Sequence, residues 1–113
     1  MDSYGQMQII DLKNYEAKCQ SDWENFLLSQ VNESVVRLGI IKGEYHWHKH
    51  DNEDECFIVI SGQLFIDLEN NSVKLLQNQL YIVPKGILHR TRADEKTVIL
   101  MIEKDTITPS GDK

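Results

Sequence analysis

Residues 47–62 read WHKHDNEDECFIVISG, and this stretch combines two imidazoles, a carboxylate and an apolar run. Alternate side chains of a β-strand share one face, so a strand over 44–50 would present His46, His48 and His50 together. A short polar loop then separates His50 from Glu55, and a hairpin at this loop would place Glu55 across from His50 on the partner strand. The stretch therefore predicts that imidazoles and a carboxylate converge.

A second stretch, NQLYIVPKGILHRTRA (78–93), arranges Pro84, Gly86 and His89 as P-x-G-x-x-H. Proline sets the entry of a tight turn and glycine tolerates positive φ, so the chain is predicted to reverse just before this imidazole. Three of the 4 histidines of the chain lie in these two stretches, and His46 immediately precedes the first. That clustering is the main functional signal in the sequence.

The chain around these stretches has the period of two and the frequent turn residues that predict an all-β domain. Several segments are apolar on both faces, which favours a closed barrel or two packed sheets with a covered outer surface. The cover would be an N-terminal helix or a second copy of the chain. The predicted strands are 35–41, 44–50, 55–61, 63–69, 72–77, 80–84, 88–93 and 97–103.

Residues 22–31, DWENFLLSQV, space Trp23, Phe26, Leu27 and Val31 by three and four positions. This spacing predicts one short amphipathic helix with Ser21 or Asp22 as its N-cap. Without internal repeats or a linker, the chain is interpreted as a single domain over 1–113. Its parts are an N-terminal arm with the helix (1–34), a barrel (35–103) and a tail (104–113).

The two stretches together resemble the motifs of the cupin superfamily, in particular its small stand-alone single-domain members. The first motif, G-x5-H-x-H-x(3,4)-E-x6-G, is matched by His48, His50, Glu55 and Gly62. The second, G-x5-P-x-G-x2-H-x3-N, is matched by Pro84, Gly86 and His89. The resemblance covers about residues 35–103 and implies a double-stranded β-helix, which is a jelly-roll-type barrel.

Three positions depart from the motifs. Gly43 precedes His48 by four intervening residues instead of five, which predicts a different entry turn. Asn78 replaces the opening glycine of the second motif, and asparagine also adopts left-handed backbone conformations. Ala93 replaces the final asparagine, which is not a metal ligand in the family. The implied metal site is therefore unaffected.

In metal-binding cupins the motif histidines and glutamate hold the ion, so the resemblance implies His48, His50, Glu55 and His89 as ligands of one divalent metal. A competing register pairs His46 with His48 but lengthens the gap to Glu55, and His46 is instead expected to orient a ligand or to line the pocket. The plain alternative is an exposed polar strand face without metal. Three imidazoles and a carboxylate leave coordination positions open on Fe, Mn, Ni or Zn, and affinity alone does not select among these ions.

Inward positions beyond the metal are predicted to form a substrate pocket. Alternation from Glu55 selects Phe57 and Val59, and neighbouring strands offer Arg37 and Tyr81 as polar candidates. Phe57 and Val59 are equally consistent with plain barrel core. Arg37 would pair with an anionic substrate group if it faces inward, and would be a surface residue if it faces out.

Composition limits the partners. The formal net charge of −6 opposes binding to nucleic acid. No apolar run approaches the roughly 20 residues of a membrane span, and Asp2 stands where a secretory signal would be basic, so a cytoplasmic protein that binds a small molecule is expected. Cys19 and Cys56 are too few for a disulfide framework and are expected to be reduced. Apolar strand faces favour a homodimer.

Three functions are consistent with this pattern. The first is a metal-dependent enzyme, a dioxygenase or isomerase of the cupin type acting on a small organic acid, ketone or sugar. A sugar phosphate fits less well because no strong Lys/Arg cluster adjoins the motifs. The second is a non-catalytic module that binds or senses a small molecule at a metal-centred pocket. The third is a metal-free barrel with His48 or His89 as general base, which Glu55 argues against because a carboxylate among imidazoles suits a cation.

Overall fold

The computed structural model describes residues 5–107 and Gly111, and over them the chain is an all-β domain with one short helix, as predicted. The helix is α1 (Leu12–Ala17). The strands are β1 (Trp23–Val31), β2 (Ser34–Glu44), β3 (Glu55–Ser61), β4 (Leu64–Leu68), β5 (Ser72–Leu75), β6 (Leu80–Val83) and β7 (His89–Lys104).

The long strand β7 organises the fold because it belongs to two groups of strands. Its C-terminal part pairs antiparallel with β2 and β3, giving the order β1-β2-β7-β3-β6. Its N-terminal part pairs with β4, which in turn pairs with β5. Within residues 5–107 the strand pairings do not close into a ring, so the two groups face each other as an open jelly roll.

The main core fills the space between the two groups of strands. Its fully buried members include Val59 of β3, Leu64 and Ile66 of β4, and Ile99 of β7, each at most 2% exposed. Alternation along each strand directs these side chains inward. The side chains of the functional site lie at one end of this core.

Residues 22–31 form an extended strand, so the prediction of a helix over this range is wrong. The segment pairs with β2 from Trp23–Ile41 to Val31–Ser34, and its register shifts between Leu27 and Ser29. The helix lies earlier in the chain and is capped by Asp11, whose side chain accepts a hydrogen bond from the Lys13 backbone N–H at 3.0 Å. Strand pairing with β2 therefore outweighs the local spacing of apolar residues.

The predicted strand over 44–50 is also wrong. Strand β2 ends at Glu44, one residue after Gly43, whose φ of +100° breaks the extended path. Beyond this point only an isolated bridge joins His48 to His89. Conversely, the segments predicted as two strands, 88–93 and 97–103, belong to the single strand β7. The predicted tail starts at Lys104, and its residues 108–110 and 112–113 lie outside the described residues.

The outer face of the β2-β7-β3-β6 sheet is apolar and only partly covered. Helix α1 packs Leu12 and Tyr15 over a second buried cluster that contains Leu38 and Ile40 of β2. Towards β6 the face is open, with Leu80 58% and Ile82 52% exposed. In the described part of the chain, no helix has the length and apolar character needed to cross a membrane.

Candidate metal centre

One short segment and two strand starts bring the four predicted ligands together. His48 and His50 lie on the segment that follows β2, while Glu55 opens β3 and His89 opens β7. His48 and His89 exchange two backbone hydrogen bonds of 2.9 Å, and the Gly86 N–H donates to the His50 carbonyl at 2.7 Å. The P-x-G-x-x-H turn is thereby attached to the H-x-H segment by the backbone.

The four side chains form one buried group. One ligand atom from each of His48, His50, Glu55 and His89 lies within 4.8 Å of all the others. No member is more than 7% exposed. Glu55 Oε1 lies 3.4 Å from His50 Nε2 and 3.2 Å from His89 Nε2. The prediction that a hairpin places Glu55 across from His50 is wrong. Glu55 opens β3, and this strand pairs with β6 and β7.

Backbone carbonyls orient two of the imidazoles. His48 Nδ1 lies 3.0 Å from the His46 carbonyl oxygen, and His89 Nδ1 lies 2.9 Å from the Ile87 carbonyl oxygen. A carbonyl oxygen only accepts, so each Nδ1 carries the proton and donates it. In a neutral ring this leaves Nε2 as a lone-pair donor, which is how proteins commonly prepare a histidine ligand.

The contact between His89 Nε2 and Glu55 Oε1 tests whether the group suits a cation. With the proton of a neutral His89 on Nδ1, both atoms are acceptors, and they lie 3.2 Å apart. Two buried acceptors at this distance need a proton or a metal ion between them. Nitrogen and carboxylate oxygen donors are also the set that binds first-row divalent metals. The residues therefore fit a divalent ion.

The protonation states agree with this fit. Burial alone would raise the pKa of Glu55, but without a metal the neighbouring His50 and His89 rings, when protonated, donate hydrogen bonds that outweigh it and lower the pKa to about 2. Burial lowers the pKa of His48, which favours the neutral imidazole. A carboxylate anion and a neutral imidazole are the forms that coordinate a metal.

A cavity of about 170 Å³ adjoins the group and is lined by His48 and Glu55. The other lining residues come from β1, β2, β3, β7 and the segment after β2, and are Trp23, Glu24, Asn25, Gly39, Ile41, Tyr45, Phe57, Thr91, Ile99, Met101 and Glu103. All of these except Glu24 and Glu103 are apolar, aromatic or uncharged. The ligand group thus opens onto an enclosed space large enough for a small molecule.

The residues predicted for a substrate pocket lie in different places. Phe57 lines the cavity, whereas Val59 is fully buried in the main core. Arg37 does not line the cavity, and its Nε lies 3.6 Å from Glu103 Oε2. Tyr81 packs half-buried against the main core. His46 is exposed, with its ring 5.3 Å from that of His48, and contributes its carbonyl to orient His48.

Trp23 and Glu103 are among the cavity residues that the sequence analysis missed. Trp23 was assigned to a helix, and only its pairing in β1 brings it to the cavity. Glu103 was not singled out, although it is an acid at an inward position of the apolar segment TVILMIE. Burial and the nearby charge of Glu55 raise the pKa of Glu103 to about 7, while Arg37 opposes this rise. Alternation from Ile99 through Met101 would have indicated its inward direction.

Gly111 packs against the first ligand. This residue is buried, adopts a φ of +94°, and lies so close that a Cβ atom would overlap the His48 side chain. Only glycine accommodates both the backbone conformation and the approach. The C-terminal region therefore contributes to the surroundings of His48.

The comparisons with known proteins agree with the fold. A family model described as "Cupin domain" matches residues 37–103. The chain is a cupin. It is 45% identical over 80 residues to the uncharacterized protein YdbB of Bacillus subtilis, an alignment that spans 70% of this chain and 71% of that protein.

Solved structures give the same fold for this cupin. A cupin-2 domain containing protein from Shewanella frigidimarina superposes with a TM-score of 0.81 at 29% identity, over 85% of this chain and 94% of the other. Protein NMB1881 from Neisseria meningitidis superposes with a TM-score of 0.76 at 23% identity, over 87% of this chain and all (100%) of the other. The double-stranded β-helix implied by the sequence motifs is thereby confirmed.

Proposed function

We propose that this cupin is a metal-dependent enzyme that holds one divalent ion through His48, His50, Glu55 and His89. The observation that carries the proposal is the buried contact between His89 Nε2 and Glu55 Oε1, two acceptors at 3.2 Å beside a cavity. A closed structural site would not need an adjoining cavity, whereas a catalytic site needs room for substrate. Membership in the cupin family supports the same ligand set.

The reaction class follows from the donor set and the cavity. Fe, Mn, Ni or Zn would, when bound, polarise a carbonyl or enediol oxygen of a small acid, ketone or sugar, or bind O2, giving isomerase-type or oxygenase-type chemistry. The protein positions its imidazoles through the carbonyls of His46 and Ile87 and keeps Glu55 anionic. Phe57 and Met101 shield the reacting groups from water.

Metal content tests the proposal directly. Protein purified without a metal-affinity tag is analysed by plasma emission spectroscopy, as wild type and as His48→Ala and His89→Ala. His46→Ala is the matched control, because this histidine lies on the same segment but outside the buried group. We expect about one metal per wild-type chain, its loss in both ligand variants and its retention in the control.

Two results would contradict the proposal at different levels. Wild-type protein without metal, and without uptake on reconstitution with Fe, Mn, Ni or Zn, would refute the metal site. A fully loaded protein that turns over no carbonyl, enediol or oxygen-dependent substrate would support the alternative of a binding or sensing module.

We also propose that a second copy of the chain covers the open outer face of the β3-β6 region. Leu80, Ile82 and Ile102 are exposed side by side there, and an apolar surface of this kind is typical of an interface. Light scattering after size exclusion should give the mass of a dimer for wild type and of a monomer for Leu80→Lys. Leu76→Lys, another exposed leucine outside these strands, should remain dimeric. A monomeric wild type would refute this interface.

A further inference from the structure

We propose that the cavity beside the metal-ligand group binds a ring-sized, mainly apolar molecule with a neutral or cationic hydrogen-bond donor, and that Glu103 accepts this hydrogen bond. The inference deepens the proposed function and rests on it, since the same cavity would hold the substrate.

The size of the ligand follows from the volume and walls of the cavity. Its volume of about 170 Å³ is close to that of an engineered protein cavity of about 150 Å³ that binds benzene. Trp23, Phe57 and Met101 provide flat or flexible apolar walls around this space. A single ring with a short polar substituent therefore fits the space.

The charge of the ligand follows from the polar lining. Three carboxylate residues line the cavity, Glu24, Glu55 and Glu103, and no lysine or arginine is among the described lining residues. Arg37 is not among the lining residues, and its Nε lies 3.6 Å from Glu103 Oε2, so its charge faces a carboxyl group already present. In the metal-free protein, a ligand carboxylate or phosphate would meet this negative lining without a cationic side chain among the lining residues to pair with.

Glu103 provides the specific polar contact. The residue is 3% exposed, and its Oε2 has no hydrogen-bond partner among the described residues. Arg37 Nε also has none, because its separation of 3.6 Å from Oε2 is too long for a hydrogen bond. A buried carboxylate oxygen without a donor is costly, so an N–H or O–H group of a ligand in the cavity would be favoured there.

Three probes of nearly the same shape, which differ in charge and in hydrogen-bond donors, test the inference: benzamidine (cation, donors only), benzamide (neutral, donor and acceptor) and benzoate (anion, acceptors only). Quenching of Trp23 fluorescence reports binding in a Trp47→Phe background, because Trp23 lines the cavity and Trp47 does not. Titrations use both metal-free and zinc-loaded protein, since benzoate and the carbonyl oxygen of benzamide could coordinate zinc. We expect Kd to increase from benzamidine to benzamide to benzoate, with at least about tenfold between the two ions.

The Glu103→Gln variant keeps the shape of the side chain and replaces its carboxyl group with an amide. We expect it to weaken benzamidine binding at least about tenfold and to change benzamide binding much less. Any of three results would overturn the inference. The variant could bind benzamidine as tightly as wild type, the metal-free protein could bind benzoate as tightly as benzamidine, or none of the probes could bind.

Metal content measured on the same samples separates this inference from the proposed function. Protein that holds metal but does not prefer benzamidine refutes the ligand class and leaves the metal centre intact. Protein that takes up no metal but discriminates among the probes through Glu103 refutes the metal centre and leaves the cavity assignment intact.

Discussion

Replacing Glu55 by glutamine should remove most of the stabilisation that a bound metal gives this protein. Glu55 is the only anionic member of the described ligand group, and its pKa of about 2 keeps it charged at neutral pH. An amide of the same shape removes the charge and leaves His50 and His89 beside a neutral group. Changes outside a metal's ligand shell already cost about 10–100-fold in affinity, so loss of this ligand's charge should cost at least about 100-fold.

The expected magnitude follows from binding linkage. Free zinc at about 100 times the wild-type Kd stabilises the folded state by about 2.7 kcal/mol. At about 4 °C per kcal/mol for a chain of this length, Tm should increase by about 11 °C. For Glu55→Gln the same zinc concentration is about equal to Kd, so the gain falls to about 0.4 kcal/mol and the shift to about 2 °C.

Differential scanning fluorimetry with and without zinc measures both shifts. The control is Asp67→Asn, which also converts a buried carboxylate to an amide but lies outside the ligand group. This variant should start from a lower Tm and keep the full zinc shift. A Glu55→Gln shift as large as that of wild type would refute the assignment of Glu55 as a ligand.

Two further predictions concern the structure around the site. Asp67→Asn should reduce the free energy of unfolding by about 2 kcal/mol at pH 7, because its carboxylate accepts bonds of 2.8 and 2.7 Å from Arg90 and Arg92. Burial alone would raise the pKa of Asp67, but hydrogen bonds from Arg92, Ser72 and Arg90 outweigh it and lower the pKa. The stability that the carboxylate contributes is therefore present above the unfolded pKa of about 3.9, and it is lost as the pH falls through the folded pKa. Urea unfolding of wild type and variant at pH 7 and at about pH 2 measures this effect. The difference in free energy of unfolding between the two proteins should be smaller at the acidic pH, and an equal difference at both pH values would contradict the ion-pair explanation. Gly111→Ala should weaken zinc binding about tenfold or more by displacing His48, and unchanged affinity by competition with a chelating dye would show that the C-terminal region does not position this ligand.

The convergence of two imidazoles and a carboxylate was predicted from short-range sequence features, and the resemblance to the cupin motifs added His89 to this ligand set. His48, His50 and Glu55 lie within one short segment, and His89 follows a proline-glycine turn. Local spacing and turn residues depend on backbone sterics, which act over a few residues and are visible in sequence. The same reasoning identified Phe57 by alternation along β3, and the structure places Phe57 in the cavity wall.

The path of the chain between these residues could not be predicted from the local sequence. The strand predicted over 44–50 assumed regular pairing, whereas Gly43 at positive φ ends β2 and leaves a single bridge between His48 and His89. Glu55 reaches the imidazoles from a strand that pairs with β6 and β7. Which strands pair depends on contacts between residues far apart in sequence, and the spacing of residues in one segment does not encode them.

The sequence by itself thus determined the all-β class, the motif residues and the direction in which alternate side chains of β3 point. Only the tertiary structure decided that residues 23–31 form a strand, that Trp23 and Glu103 share one cavity, and that Arg37 faces Glu103. The apolar spacing of Trp23, Phe26 and Leu27 is compatible with a helix and with an irregular strand whose register shifts after Leu27. Pairing with β2 selects the strand, because the backbone hydrogen bonds and the burial it provides arise only when distant segments meet.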